Sequence, residues 1–208
     1  SPEWEAWVYN SDNGRMILIG SDNVVYDDFT LPGLQNNSYS WQAIVSPDGQ
    51  IIAYTLNNMQ TQVQTVNIYS TVSDSIVASY MIPSQQGQYV ANSLELLSTS
   101  QAFTPDSQQF AFSYSIDQEW SIIVMDVGNQ AGTILLQVNS TDPTMSAVPQ
   151  VAFDLPTIVR FDGTTIDFDL IQVATEGLPT YPHFTYDITT GIVTQNYYLT
   201  VPGGNFSD

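Results

Sequence analysis

The stretch Ser46-Pro-Asp-Gly49 stands between two short apolar segments, Trp41-Gln-Ala-Ile-Val45 and Ile51-Ile-Ala-Tyr54. Pro presets φ, Asp bonds back to nearby backbone and Gly tolerates positive φ, so these residues read as a tight turn. The flanks are β-branched or aromatic and too short for ordinary helices, which makes the whole a β-hairpin. The pattern returns in Gln101–Phe112, where Thr104-Pro-Asp-Ser107 has Ser in place of the glycine. A third, weaker version runs from Ile158 to Phe168 and keeps Asp162-Gly163 without the proline. The turn aspartates Asp48, Asp106 and Asp162 are 58 and 56 residues apart. A period of that size marks a repeated supersecondary unit.

Each unit has a second half. Thr65–Tyr69 and Ile76–Ile82, Trp120–Asp126 and Thr133–Val138, and His183–Ile188 and Ile192–Tyr197 all read as strand, turn, strand. Every unit therefore predicts four antiparallel strands. Trp7–Ile19 looks like such a second half with no first half before it, and Tyr197–Val201 reads as a closing strand. The sequence predicts an all-β fold with blades of four antiparallel strands in a single propeller-like domain over residues 1–208. Its parts are an orphan outer hairpin at 5–20, units at 40–83, 95–138 and 151–195, and a closing strand at 197–201. A β-sandwich with the same alternation is the competing architecture.

Four-stranded units at this spacing are the sequence mark of propeller blades. Ser46-Pro-Asp-Gly-Gln-Ile-Ile-Ala-Tyr54 followed by Val66-Asn-Ile-Tyr69 resembles the repeat of the TolB-like and WD40-like (PD40) β-propellers. Thr104-Pro-Asp-Ser107 with Ile123-Val-Met-Asp126 fits the same pattern, and Tyr186–Gly191 resembles its end. The resemblance spans roughly residues 40–195 and is weakest in the third unit. It implies a scaffold of six or seven blades in complete members, whereas this chain supplies three and a half. Either a small closed ring forms, with the first hairpin and the closing strand sharing a blade, or the units make a partial propeller with two open edges. Closure removes the unpaired edges that proteins otherwise have to blunt, so it is the expectation for the isolated domain.

Charge narrows the partners. The chain holds 21 Asp and Glu against 2 Lys and Arg, a formal net charge of −19, yet only 11% of its 208 residues are charged. Repulsion excludes nucleic acid and anionic lipid, both of which need positive side chains. No apolar run reaches the roughly 18 residues of a membrane span, and the amino terminus shows no signal peptide, as an excised segment also would not. Sparse charge and a Ser/Thr/Asn/Gln-rich surface fit an extracellular or cell-surface setting. Without cysteine, neither disulfides nor thiolate chemistry arises. Asn36, Asn139 and Asn205 match the glycosylation acceptor pattern, read here as coincidence in an Asn/Ser/Thr-rich chain.

Candidate chemistry is thin. His183 is the one histidine, so a zinc site lacks ligands and a Ser-His-acid triad lacks an activated serine. No Gly-x-Ser-x-Gly elbow is present. Glu3/Glu5, Asp27-Asp28 and Asp167/Asp169 are the paired acids, and only the last pair shares one strand face, where it can bind a cation or face water. Asp48, Asp106 and Asp162 read as structural turn residues. Trp7, Trp41 and Trp120 are placed between blades, and Trp4 is the candidate for an exposed contact. These readings predict no catalytic, cofactor or metal residues and a non-catalytic module for protein interaction or self-assembly. The alternative is a carbohydrate-active enzyme, with glycan as ligand, or an accessory propeller of a hydrolase or peptidase.

Overall fold

The computed structural model describes residues 5–10, 13–34, 38–39, 43–58, 60–61, 63–83, 100–116, 119–148, 156–170 and 182–196. Their strands fall into four antiparallel sheets in chain order. The first contains β1 (Glu5–Asn10), β2 (Arg15–Gly20) and β3 (Val25–Thr30). In the second, β4 (Ser38–Tyr39) and β5 (Ala43–Val45) both pair with β6 (Ile51–Asn58), followed by β7 (Val63–Ser70) and β8 (Ser75–Met81). The third holds β9 (Gln109–Ile116), β10 (Glu119–Asp126) and β11 (Ile134–Asn139). The fourth is β12 (Pro156–Phe161), β13 (Thr165–Leu170), β14 (His183–Asp187) and β15 (Ile192–Asn196).

The fold is all-β, of propeller type, and open. Closure through the first hairpin does not occur among the described residues, where no ladder joins the first sheet to the fourth. The chain turns at Ser21–Val24 and lays β3 against β2, so the expected hairpin is a three-stranded sheet with β1 at its other edge. The closing strand expected at 197–201 lies outside the described residues. In the third sheet the first strand shrinks to one bridge between Phe103 and Phe110, preceded by a 3-10 turn at Ser100–Ala102.

The middle sheets explain the continuous apolar runs. Ile52 and Tyr54 on β6 face the first sheet with Tyr69, whereas Ala53 faces the third with Ile68. Both faces of β6 are thus buried, and Ile51-Ile-Ala-Tyr54 has no polar side. On β9, Phe112 meets Tyr80 of the second sheet at 5.3 Å between ring centres. Its neighbour Ser113 turns the other way and donates its hydroxyl to the Pro156 carbonyl of the fourth sheet. Trp120 on β10 packs against Phe168 on β13 at 6.1 Å. One apolar core therefore runs through sheets two, three and four, and a smaller one joins the first sheet to the second. Tyr54 also ties the two together, donating its phenol to the Pro32 carbonyl at 2.8 Å.

Candidate functional site

The repeated turns share one internal geometry. In the second sheet the Ser46 hydroxyl donates to Asp48 Oδ1 at 2.6 Å and accepts the Ile51 N–H at 3.0 Å, while Asp48 Oδ1 also takes the Gln50 N–H at 3.0 Å. In the third, Thr104 donates to Asp106 Oδ1 at 2.6 Å and accepts from Gln109 at 3.0 Å, and Asp106 takes the Gln108 N–H at 3.1 Å. In the fourth, the Asp162 carboxylate accepts from the backbone and hydroxyl of both Thr164 and Thr165 at 2.8–2.9 Å. Gly49 and Gly163 stand at φ +73° and +96°, the left-handed region that the turn needs. Ser107 holds the equivalent place at φ +59°.

Successive turns also meet. The Asp48 N–H donates to Ser107 Oγ at 3.2 Å, and a methyl group at Gly163 would touch Thr104 Cγ2 at 3.4 Å. Burial pushes the Asp48 carboxyl up, but the Ser46 hydroxyl, Gln50 N–H and Ser107 hydroxyl outweigh it and hold it below the usual range. The Thr104 hydroxyl, with the Gln108 N–H, lowers Asp106. For Asp162, burial is again overridden, here by the four donors of Thr164 and Thr165, and the carboxyl sits far below its ordinary value. Donors arranged in this way hold each carboxylate ionised and fixed within its own turn. The three aspartates hold turns together.

A second polar group lies on β13 and β14. Asp167 and Asp169 share the face of β13 opposite the core residues Ile166, Phe168 and Leu170. His183 Nδ1 is 2.7 Å from Asp169 Oδ1, and its Nε2 is 4.0 Å from Asp167 Oδ1. Thr185 donates to Asp167 at 2.6 Å and accepts from Asn196 Nδ2 at 2.8 Å. Opposite Asp169 on β12, Thr157 buries its Oγ1 without a hydrogen bond. The histidine is held by carboxylates, and the Thr185 hydroxyl across the same face bonds to Asp167. Among the described residues no group of three or more His, Cys, Asp or Glu side chains is placed to hold a metal ion.

The other candidates are scattered. Asp28 on β3 takes a two-pronged bond from Arg15 at 2.8 and 2.5 Å, and Asp27 accepts the Asp28 N–H. Arg160 pairs with Asp162 at 3.1 Å, so both cations of the chain are matched to carboxylates. Asn139, the last residue of β11, accepts the Ser121 hydroxyl on its amide oxygen at 2.8 Å. Trp7 packs edge-on against Phe29 at 5.7 Å. Glu3, Trp4, Asn36, Trp41 and Asn205 lie outside the described residues, as does the Glu5 side chain. Unread in the sequence was a recurrence on the outer strands: Ile76-Val77, Ile134-Leu135 and Ile192-Val193 are spaced by 58 residues (76, 134, 192), a period that the turns had already announced.

No helix among the described residues is long and apolar enough to cross a membrane. No protein-family model matches the chain, and no curated protein does. Solved structures do match. The β-propeller domain of the Trilobed protease from Pyrococcus furiosus superposes with a TM-score of 0.53 at 12% identity, over 92% of this chain and 52% of that one. A prolyl endopeptidase gives 0.53 at 13% identity over 92% of this chain and 29% of its own, and the tricorn protease 0.51 at 14% over 92% and 21%. This chain thus spans about half or less of the length of those it matches. At such identities the likeness speaks to fold, and the fold is that of a β-propeller module, similar to the one that peptidases carry.

Proposed function

We propose that this chain is a non-catalytic propeller module of the TolB-like/WD40-like (PD40) kind, placed outside the cell or at its surface, and serving protein interaction or structural assembly. One observation carries the reading. The candidate aspartates and His183 are hydrogen-bonded within the chain, and six of the large exposed apolar side chains recur on the last strands of three sheets: Ile76, Val77 and Met81 on β8, Ile134 and Leu135 on β11, and Ile192 on β15. Function on repeated scaffolds resides in such grafted surfaces, and scattered apolar exposure needs no explanation while a recurrent one does. The Ser-Pro-Asp-Gly and Thr-Pro-Asp-Ser turns, with their matching bonds, support the repeat type. The net charge of −19 on few ionic groups supports the setting.

The test is cross-linking of the native protein on intact source cells with a membrane-impermeant reagent, followed by identification of what is attached. A defined protein neighbour, or the chain itself, joined from outside is the expected result. Labelling only after lysis would overturn the location. Turnover of peptide or glycan substrates by the purified chain, abolished by His183→Ala, would overturn the non-catalytic reading.

A further inference from the structure

The outer strands of the second, third and fourth sheets break a rule that the first sheet obeys. Edge strands are ordinarily blunted by charges or proline, because their free backbone groups recruit other strands. β3 carries Asp27 and Asp28. β8, β11 and β15 contain no charged residue and no proline. Each stands last in its sheet, and among the described residues no strand pairs with its outer side. Each also carries, at its start or one residue in, an apolar pair whose isoleucine is exposed: Ile76 by 39%, Ile134 by 37% and Ile192 by 59%. The turn before each edge contains or follows an aspartate, Asp74, Asp126 and Asp187, whose carboxylate accepts local hydrogen bonds.

We propose that the outer edges of β8, β11 and β15 are strand-addition sites for an extended cationic segment of a partner protein. The proposal rests on the protein-binding reading above and gives it a surface and a partner chemistry. Backbone N–H and C=O groups of the edge supply the ladder, and the Ile-Val or Ile-Leu pair takes alternate apolar side chains of the added strand. Charge selects the occupant. Both arginines are already paired with Asp28 and Asp162, so a cationic segment approaches a chain of net charge −19 with no unmatched arginine to repel it. A second copy of the chain would bring −19 against −19, which disfavours it in the same place.

The probe is a capped seven-residue peptide alternating lysine and valine. Its controls are the same peptide with glutamate for lysine, and one with alternate backbone amides N-methylated. Binding is read by calorimetry at low salt, and position by hydrogen exchange. The lysine peptide binds and slows exchange along β8, β11 and β15, the glutamate peptide does not bind, and N-methylation weakens binding by about tenfold or more, since it removes ladder donors. The combined variant Ile76→Lys, Ile134→Lys, Ile192→Lys weakens binding comparably while keeping a cooperative melt, whereas Val8→Lys, exposed outside these edges, leaves it unchanged. Equal binding of the N-methylated peptide, protection elsewhere, or sedimentation showing the chain pairing with itself through these strands would overturn the proposal. So would no binding of the lysine peptide; if the cell-surface cross-link to a protein persists in that case, the edge sites fall and the interaction reading stands.

Discussion

The first and fourth sheets both end the array, and they end it differently. In the fourth, Thr165-Ile-Asp-Phe-Asp-Leu170 alternates strictly, with Ile166, Phe168 and Leu170 in the core and Asp167 and Asp169 on the far side. Those carboxylates are bonded to His183 and Thr185 on the neighbouring strand. In the first sheet, Trp7, Tyr9, Met16 and Phe29 cover the second sheet, with Phe29 stacked on Tyr69 at 5.3 Å. The opposite face, however, pairs Ala6 with Ile19, Val8 with Ile17 and Ile19 with Val25, all apolar, and Val8 and Val25 are 51% and 52% exposed. Arrays of stacked units need a polar outer face on the terminal unit. The fourth sheet has one throughout, whereas the first has it only at one end, where Asn10, Arg15, Asp28 and Thr30 lie together. The lesson is that a strand's alternation records whether one or both of its faces are covered, and the rest of that face of the first sheet is written like a middle one.

Mutations in the two cores should separate the ends. Phe168 is fully buried between Trp120 and Phe184, whose ring centres lie 6.1 and 5.5 Å away. Phe168→Ala should cost about 3–5 kcal/mol and lower the midpoint of chemical denaturation for the whole chain. Met16→Ala removes a buried side chain from the smaller core, at about 2–5 kcal/mol locally. Its effect should show as faster hydrogen exchange in β1–β3 before the remaining sheets respond. If both variants accelerated exchange equally everywhere, the division into a large and a small core would be wrong.

Acid probes the turn row that runs between these ends. Asp48, Asp106 and Asp162 all have folded values below their unfolded ones. Their stabilisation is therefore complete above the ordinary aspartate range of about 3.9 and is lost as pH falls through the lower folded values. Over the same descent, protonation of the other carboxylates relieves the repulsion of a −19 chain. Thermal melts followed by circular dichroism should hold or rise between pH 7 and about 5 and decline only below about 4. A steep loss already near pH 5 would show that some other carboxylate carries the fold.

Much of this was readable before any coordinates. The turn chemistry of Ser46–Gly49 and Thr104–Ser107 fixed two hairpins, and the 58-residue step made them units. Alternation in Thr165–Leu170 exposed the same-face aspartates, since period 2 maps directly onto sheet faces. What stayed hidden depended on neighbours distant in sequence. Val25–Thr30 carries Asp27 and Asp28, which read as an acidic pair rather than a strand, and its pairing to β2 is decided by Phe29 reaching Tyr69. The link from His183 to Asp169 spans fourteen residues and a register that no local pattern sets. Edge exposure was hidden for a similar reason: periodicity tells which side chains share a face and is silent on whether a further strand follows.

Substitutions within the turns rank the three units more finely. Asp162→Ala removes an acceptor of four hydrogen bonds and should cost about 1–3 kcal/mol. Asp48→Ala gives up the Ser46 and Gln50 bonds and should cost about 1 kcal/mol. Gly49→Val places a β-branched residue at φ +73° and should cost about 1–2 kcal/mol or more. Denaturant midpoints measure all three. Equal, negligible effects would mean that the turns are passengers of the sheets.

Ser107 gives the smallest and most discriminating effect, because two terms of similar size oppose each other there. At φ +59° the serine bears a left-handed strain of about 1–2 kcal/mol that glycine would relieve. Glycine also loosens the unfolded chain by about 0.5–1 kcal/mol, and it discards the hydroxyl that accepts the Asp48 N–H at 3.2 Å. That bond is part-buried, and its loss costs about 1 kcal/mol in any variant without the hydroxyl. Ser107→Gly should therefore fall within about 1 kcal/mol of the parent. Ser107→Ala keeps the strain and loses the bond, and should be destabilised by about 1 kcal/mol. If alanine proved as stable as the parent, the hydroxyl bridge between the second and third sheets would contribute nothing to their contact, and if glycine proved less stable than alanine, the backbone angle would carry no strain.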